Sequence, residues 1–185
     1  MHWIIVAVVV VLIAVLAAVG FNKLRAADVR ADEALGGIDV QLTRRADLVP
    51  NLVSTVKGYA EHERSVFDEV TAARTAAASA ARDGSVEQKS AADARLDKAL
   101  VDVLAVAEAY PDLKASTNFQ QLQTELAETE DQLAFARQYY NDAAARLNTL
   151  VRTLPWLFFT GVAGVGQRAF YAAPSSQTAP PTVQF

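Results

Sequence analysis

The chain of 185 residues has no cysteine and two histidines. The first absence removes disulfides, thiolate metal sites, iron–sulfur clusters and thiol catalysis together. The second leaves little imidazole for metal binding or acid–base work, since His2 stands at the extreme N-terminus and only His62 remains. Aromatic residues are scarce at 8%, although 52% of the chain is hydrophobic. Alanine makes up much of the difference, and alanine is the strongest helix former. Positive charge is not in excess either. The net charge of −4 and a pI near 5.2 argue against nucleic acid as a partner in the absence of a local basic stripe.

Chemical motifs are missing as well. There is no H-E-x-x-H, no G-x-S-x-G and no P-loop. Gly161, Gly164 and Gly166 do not match the dinucleotide fingerprint, and no strand pattern precedes them. A di-iron bundle needs two Glu-x-x-His pairs, but Tyr59 stands three residues before His62. No catalytic residue and no cofactor are expected.

What the chain does have is one long apolar run. Trp3 to Phe21 is free of charge over 19 residues, about 28 Å as a helix, close to the hydrocarbon thickness of a bilayer. Trp3 suits one headgroup boundary and Lys23 and Arg25 the other. The run lacks the basic flank of a cleaved signal peptide, so residues 1–21 read as a single-pass anchor in a cell membrane. The lysine and arginine near it lie on its C-terminal side, which favours a cytoplasmic position for the rest of the chain.

Residues 22–154 read as helix throughout, with no sustained strand alternation. A first stripe runs through Leu24, Ala31, Leu35, Ile38 and Leu42, and a second through Val49, Leu52, Val56, Tyr59, Val66, Val70, Ala73 and Ala77. Leu96, Leu100, Val103, Ala107 and Tyr110 form a third. The fourth, from Phe119 through Leu126, Leu133 and Tyr140 to Leu147 and Leu154, repeats at spacings of 3 and 4 as a heptad seam. Breaks are expected at four places. Asp47 caps a second helix with Pro50 in its first turn. Asp83-Gly84 ends that helix, and Ser85 with Gln88 forms a capping box for the third. Tyr110-Pro111 closes the third, Thr117 with Gln120 boxes the fourth, and Pro155 ends it. The predicted fold is all-α: an N-terminal transmembrane helix continuing into an elongated up-and-down four-helix bundle.

That topology carries site expectations. The turns between helices one and two and between helices three and four share the membrane-distal end, with Arg44, Arg45, Asp47, Asp112 and Lys114, and Asn51 and Asn118 nearby. Caps and inter-turn ion pairs account for such groups, and a docking face for a partner is the alternative. Pro155–Tyr171 is apolar and broken by glycine, too short to span. Trp156, Phe158 and Phe159 suit the headgroup boundary. From 172 to 185 the chain reads as an uncharged, Pro-rich tail. Glu63 breaks the apolar stripe of helix two, level with Glu130 and near Asp97. It calls for a hydrogen-bonding partner or, alternatively, a hard cation held by Glu63, Glu130 and Asp97.

Three stretches carry a family resemblance: IDVQLTRRADLVPNLVSTVKGYAEHE (Ile38–Glu63), AEAYPDLKASTNFQQLQTELAETE (Ala107–Glu130) and ARQYYNDAAARLNTLVRTLP (Ala136–Pro155). They resemble the bacterial LemA proteins, over roughly residues 20 to 171. The resemblance implies one N-terminal anchor and an elongated helical bundle, with no established enzymatic activity and no catalytic residue to carry over. The function expected is a non-enzymatic scaffold or adaptor bound to the lipid bilayer. Self-assembly into a homo-oligomer is expected from the small side chains of Thr71–Ala81. The alternatives are an accessory subunit that presents clients to, or regulates, a larger membrane enzyme such as a protease, and a cation-binding sensor or enzyme that uses bundle carboxylates.

Overall fold

The computed structural model describes residues 2–172; the proline-rich tail beyond them lies outside the described residues. The fold is all-α, with no strand among the described residues. Helix α1 runs His2–Lys57, α2 Arg64–Asp83, α3 Val86–Glu108, the short α4 Pro111–Lys114, and α5 Thr117–Arg152. A 3-10 turn, Trp156–Phe159, and the single-turn α6, Thr160–Ala163, come next. The described residues divide into two compact units, 2–35 with 138–170, and 36–137 with 171–172.

The largest departure from the sequence expectation lies in α1. No turn interrupts it between Arg44 and Asn51, and Pro50 stands inside the helix. Proline lacks the N–H that would bond the carbonyl four residues back, so the Ala46 carbonyl loses its helical donor. Arg74 on α2 supplies one, its Nε donating to Ala46 O at 3.2 Å. A side chain from another helix thus makes an interior proline tolerable. The real turn is Gly58–Glu63, after Lys57 has placed a cation at the negative end of the helix. Beyond Phe21, α1 therefore has the same 36 residues as α5.

Other boundaries follow local chemistry. Gly84 follows α2, and the Ser85–Gln88 capping box starts α3 in both directions, Gln88 N donating to Ser85 Oγ at 3.3 Å and Ser85 N to Gln88 Oε1 at 2.8 Å. Pro111 opens α4, where a missing N–H costs nothing. The second expected box is not formed. Thr117 is already helical, and the Gln120 side chain donates instead to Lys114 O at 3.0 Å.

In the second unit the core draws on all five helices, from Leu42 to Val56 of α1, Phe67 to Ala81 of α2, Leu96 to Ala107 of α3, Leu113 of α4, and Phe119 and Leu126 of α5. The alanine run of α2 belongs largely to this core: Ala73, Ala77, Ala80 and Ala81 are buried. These small side chains serve close packing within the chain, while Thr71, Ala72, Thr75 and Ser79 of the same run stay exposed. In the first unit a smaller core joins Leu24 and Ala31 of α1, Leu147 and Val151 of α5, and Ala163 and Val165. The heptad seam of α5 is kept, with Phe119, Leu126, Leu133, Tyr140 and Leu147 all buried.

If Arg74 satisfies what Pro50 leaves open, then Arg74→Met should cost about 1–3 kcal/mol, the penalty of an unpaired buried carbonyl. In a P50A background the helix makes its own bond, and the cost should fall by about 1 kcal/mol. Denaturant unfolding of the four-member cycle in detergent checks this; additive effects would remove the link.

Candidate functional site

Two polar constellations stand out, one in each unit. In the second unit, Asp93 of α3 is the hub of a buried charge cluster. Its Oδ2 accepts from Arg137 Nε of α5 at 3.0 Å and from the Tyr171 hydroxyl at 3.0 Å, and its Oδ1 from Arg45 Nη1 of α1 at 3.5 Å. Arg45 Nη2 also donates to Asp97 at 2.8 Å, and Arg137 Nη1 to Glu130 at 3.0 Å. Glu130 Oε2 lies 2.8 Å from Arg45 Nη1, an ion pair off the hydrogen-bonding direction. The Arg45, Asp93 and Arg137 side chains are only 6%, 2% and 7% exposed. Burial opposes the charge on Arg137, but Asp93 and Glu130 outweigh it and hold its pKa above the arginine norm. The Tyr171 phenol is raised well above the usual tyrosine value, first by burial and then by the negative charge of Asp93.

Close by in the same unit, buried Lys89 donates to Ala81 O at 2.9 Å, meeting the end of α2, and pairs with Asp39.

In the first unit, Gly164 takes φ +63, a left-handed conformation that favours glycine, and ends α6. The segment after it is pinned side chain to backbone. Asn148 pairs with Arg168 both ways, Nδ2 to the carbonyl at 2.9 Å and the amide to Oδ1 at 2.8 Å. The Tyr140 hydroxyl donates to Ala169 O at 2.8 Å. Arg168 bridges Asp28 at 2.8 Å and Asp32 at 2.9 Å; its pKa is raised, first by the hydrogen bond to Asp28. Phe159 lies against Gly20, where an added Cβ would stand 2.3 Å from the ring. Lys23 Nζ sits 4.2 Å from the Trp156 ring centroid. These two contacts bring Trp156 and Phe159 to the C-terminal end of the apolar run. Leu154, Leu157, Phe158 and Val162 remain exposed. An open cleft of about 330 Å³ runs between α1 and α5 of this unit, lined by Lys23, Arg30, Tyr139, Asp142 and Arg146 over Ala26, Ala27, Ala143 and Leu150.

Of the expected docking residues, Arg45 is withdrawn from the surface. Arg44 and Asp47 are exposed along α1, not in a turn. Arg45, expected at that surface, is buried among carboxylates, because it stands on the apolar stripe of α1 between Leu42 and Val49. Asp112 and Lys114 are exposed on α4, and Lys114 pairs with Glu108. Asn51 and Asn118 do meet, in a polar groove of about 320 Å³ shared with Ser54, Thr55, Gln121, Leu122 and Glu125. The expected cation site is not assembled: Glu63 lies in the turn before α2, while Asp97 and Glu130 are engaged by Arg45 and Arg137. Among the described residues no three acidic or histidine side chains group to hold a metal ion. Near the membrane, Trp3 is exposed, Arg25 pairs with Asp28 at 3.3 Å, and Phe158 is exposed. Sequence reasoning missed Asp93, Arg137 and Tyr171, and Asp28, Asn148 and Arg168. The signal for Asp93 and Arg137 is their place beside apolar stripe positions, three residues before Leu96 and Tyr140.

The fold is that of an all-α protein with one helix, largely exposed over its apolar stretch, long and apolar enough to cross a membrane. The chain belongs to the LemA family, which it matches over residues 34–185. It is similar to two magnetosome proteins of Paramagnetospirillum magneticum, MamQ 1 and MamQ 2, each 26% identical over 156 residues, 72% of this chain and 57% of theirs. It is also similar to magnetosome protein MamQ of Magnetospirillum gryphiswaldense, 25% identical over 164 residues, 76% of this chain and 60% of that one. The chain thus spans under two thirds of the length of these relatives. Neither the family description nor these names carry an enzymatic activity.

Removing one partner of a buried ion cluster leaves an uncompensated charge, so Arg45→Met should cost about 3–5 kcal/mol. Arg44→Met, one residue away and exposed, should stay within about 0.5 kcal/mol. Equal effects in denaturant unfolding would deny the cluster its structural role. For Tyr171 the folded pKa lies above the unfolded value of about 10. The stability contributed by the neutral phenol is therefore complete below about pH 10 and drains as the pH rises past it. Tyr171→Phe should lose about 1.5–3 kcal/mol at neutral pH, the worth of a hydrogen bond to a charged group. It should also flatten the fall in stability above about pH 10, as read from unfolding midpoints at several pH values.

Proposed function

We propose that the protein is a non-enzymatic scaffold, held to a cell membrane by residues 2–21 and assembling there into a homo-oligomer, with the helices facing the cytoplasm. The observation that carries the reading is the exposed apolar set Leu154, Leu157, Phe158 and Val162 beside a span-length apolar helix. Such a patch is costly in water and is covered by lipid, by another protomer or by both. The buried carboxylate Asp93 and its neighbours Asp97 and Glu130 are taken up by two arginines, Arg45 and Arg137. Native mass of the full chain in nanodiscs is the test. A discrete oligomer that dissociates in Leu157→Ser/Phe158→Ser, with insertion retained, supports the reading. A monomer at every concentration ends the scaffold reading.

A second reading, an accessory subunit docking a partner, draws on the polar groove around Asn51 and Asn118. A monomer in nanodiscs that still recruits a membrane protein, and loses it in Asn51→Ala/Asn118→Ala, favours this second reading.

A further inference from the structure

The cleft of the first unit has a charge pattern that nothing else in that unit consumes. Lys23, Arg30 and Arg146 line it against a single carboxylate, Asp142. Arg30, Arg146 and Asp142 make no ion pair among the described residues, whereas Arg25 is paired with Asp28, and Arg168 with Asp28 and Asp32. Three cations facing one open cleft repel one another unless an anion enters it.

The position of the cleft says which anion. Lys23 follows the last residue of the apolar run by two positions. With Phe21 at the edge of the hydrocarbon, Lys23 stands about 3 Å beyond it, inside a headgroup layer roughly 5–8 Å deep. Arg30 lies about 14 Å beyond Phe21 along the helix. Side chains on α1 lean towards its N-terminus, here the membrane side, so a long arginine there reaches back towards the headgroups. The cleft floor is apolar, made by Ala26, Ala27, Ala143 and Leu150. Tyr139 on its wall is 57% exposed, an aromatic with an apolar body and a polar tip. A phosphodiester with glycerol and acyl carbons below it matches an apolar floor under a cationic rim better than a free inorganic anion does.

We propose that this cleft is a binding site for the headgroup of an anionic phospholipid, whose phosphodiester is held between Lys23, Arg30 and Arg146. The inference rests on the membrane-anchored reading above. Lys23 lies over Trp156, so a lipid that draws its ammonium towards a phosphate weakens that cation–π contact and changes the indole emission.

The experiment uses the full chain carrying Trp3→Phe, in neutral detergent, with Trp156 emission as readout. Dioctanoyl phosphatidylglycerol, dioctanoyl phosphatidylcholine and inorganic phosphate are titrated separately. Phosphatidylglycerol should give a saturable change at concentrations at least tenfold below those of the other two. Arg30→Gln/Arg146→Gln, two exposed changes that leave Lys23 and Trp156 in place, should raise its midpoint tenfold or more. Equal responses to phosphatidylglycerol and phosphatidylcholine would overturn the proposal, as would a midpoint unmoved in the double variant. Inorganic phosphate acting at the same concentration as the lipid would make the cleft a site for a soluble anion and overturn the lipid assignment. Membrane insertion is scored separately, by resistance to alkaline carbonate extraction. Failure of lipid selectivity with insertion intact defeats this inference alone, while failure of insertion defeats the reading beneath it.

Discussion

Asp93 ties together three parts of the chain that are far apart in sequence: Arg45 on α1, Arg137 on α5 and Tyr171 after the last helix. Taking such charges out of water is expensive, and their mutual attraction recovers the cost only when the geometry is right. The arrangement therefore does more for uniqueness than for net stability. A heptad seam such as that of α5 can slide by seven residues and still set leucine on leucine, so apolar packing alone leaves register weakly determined. A slid α5 would part Arg137 from Asp93 and Glu130 from Arg45, so the cluster disfavours those alternatives.

The first unit solves a different problem with different means. Its chain must carry apolar residues 154–162 near the apolar run of α1 and then return along α5. Phe159 against Gly20 and Lys23 over Trp156 hold the apolar part. Gly164 turns the chain in a conformation that few other residues adopt, and Asn148 then supplies the donor and acceptor that an extended backbone lacks when no strand lies beside it. One asparagine and one tyrosine replace a sheet neighbour.

Much of this is legible from local rules. The apolar run, the α5 seam, the Ser85–Gln88 box and the ends of α2 and α3 follow from periodicity and capping, which act over a few residues. The misreading at Pro50 is of another kind. Proline in a helix interior is locally unfavourable, and only Arg74, a residue 24 positions on, makes it acceptable. A turn placed there carries the stripe of the following segment on through Tyr59 to Glu63 and makes Glu63 look like a carboxylate in the core. The rule itself is sound, since a charge on an apolar stripe needs a partner. Applied in the true register it selects Arg45, between Leu42 and Val49, with Lys89 and Asp93 ahead of Leu96 and Arg137 ahead of Tyr140, all buried. What pairs with what depends on which helices face each other, and that is not written in any one of them. The Asn148–Arg168 pairing is illegible for the same reason.

Where charge is left over is the more informative fact about function. A folded chain neutralises what it buries, because an unpaired buried charge is costly. In the second unit the buried cations are all matched, Arg45 and Arg137 by three carboxylates, Lys89 by Asp39 and the end of α2. Those groups explain the fold. In the first unit the exposed Arg30 and Arg146 line the cleft without an ion pair among the described residues, and Leu157, Phe158 and Val162 stay in the open. Both features fit the proposed setting, where an apolar phase meets a layer of anions.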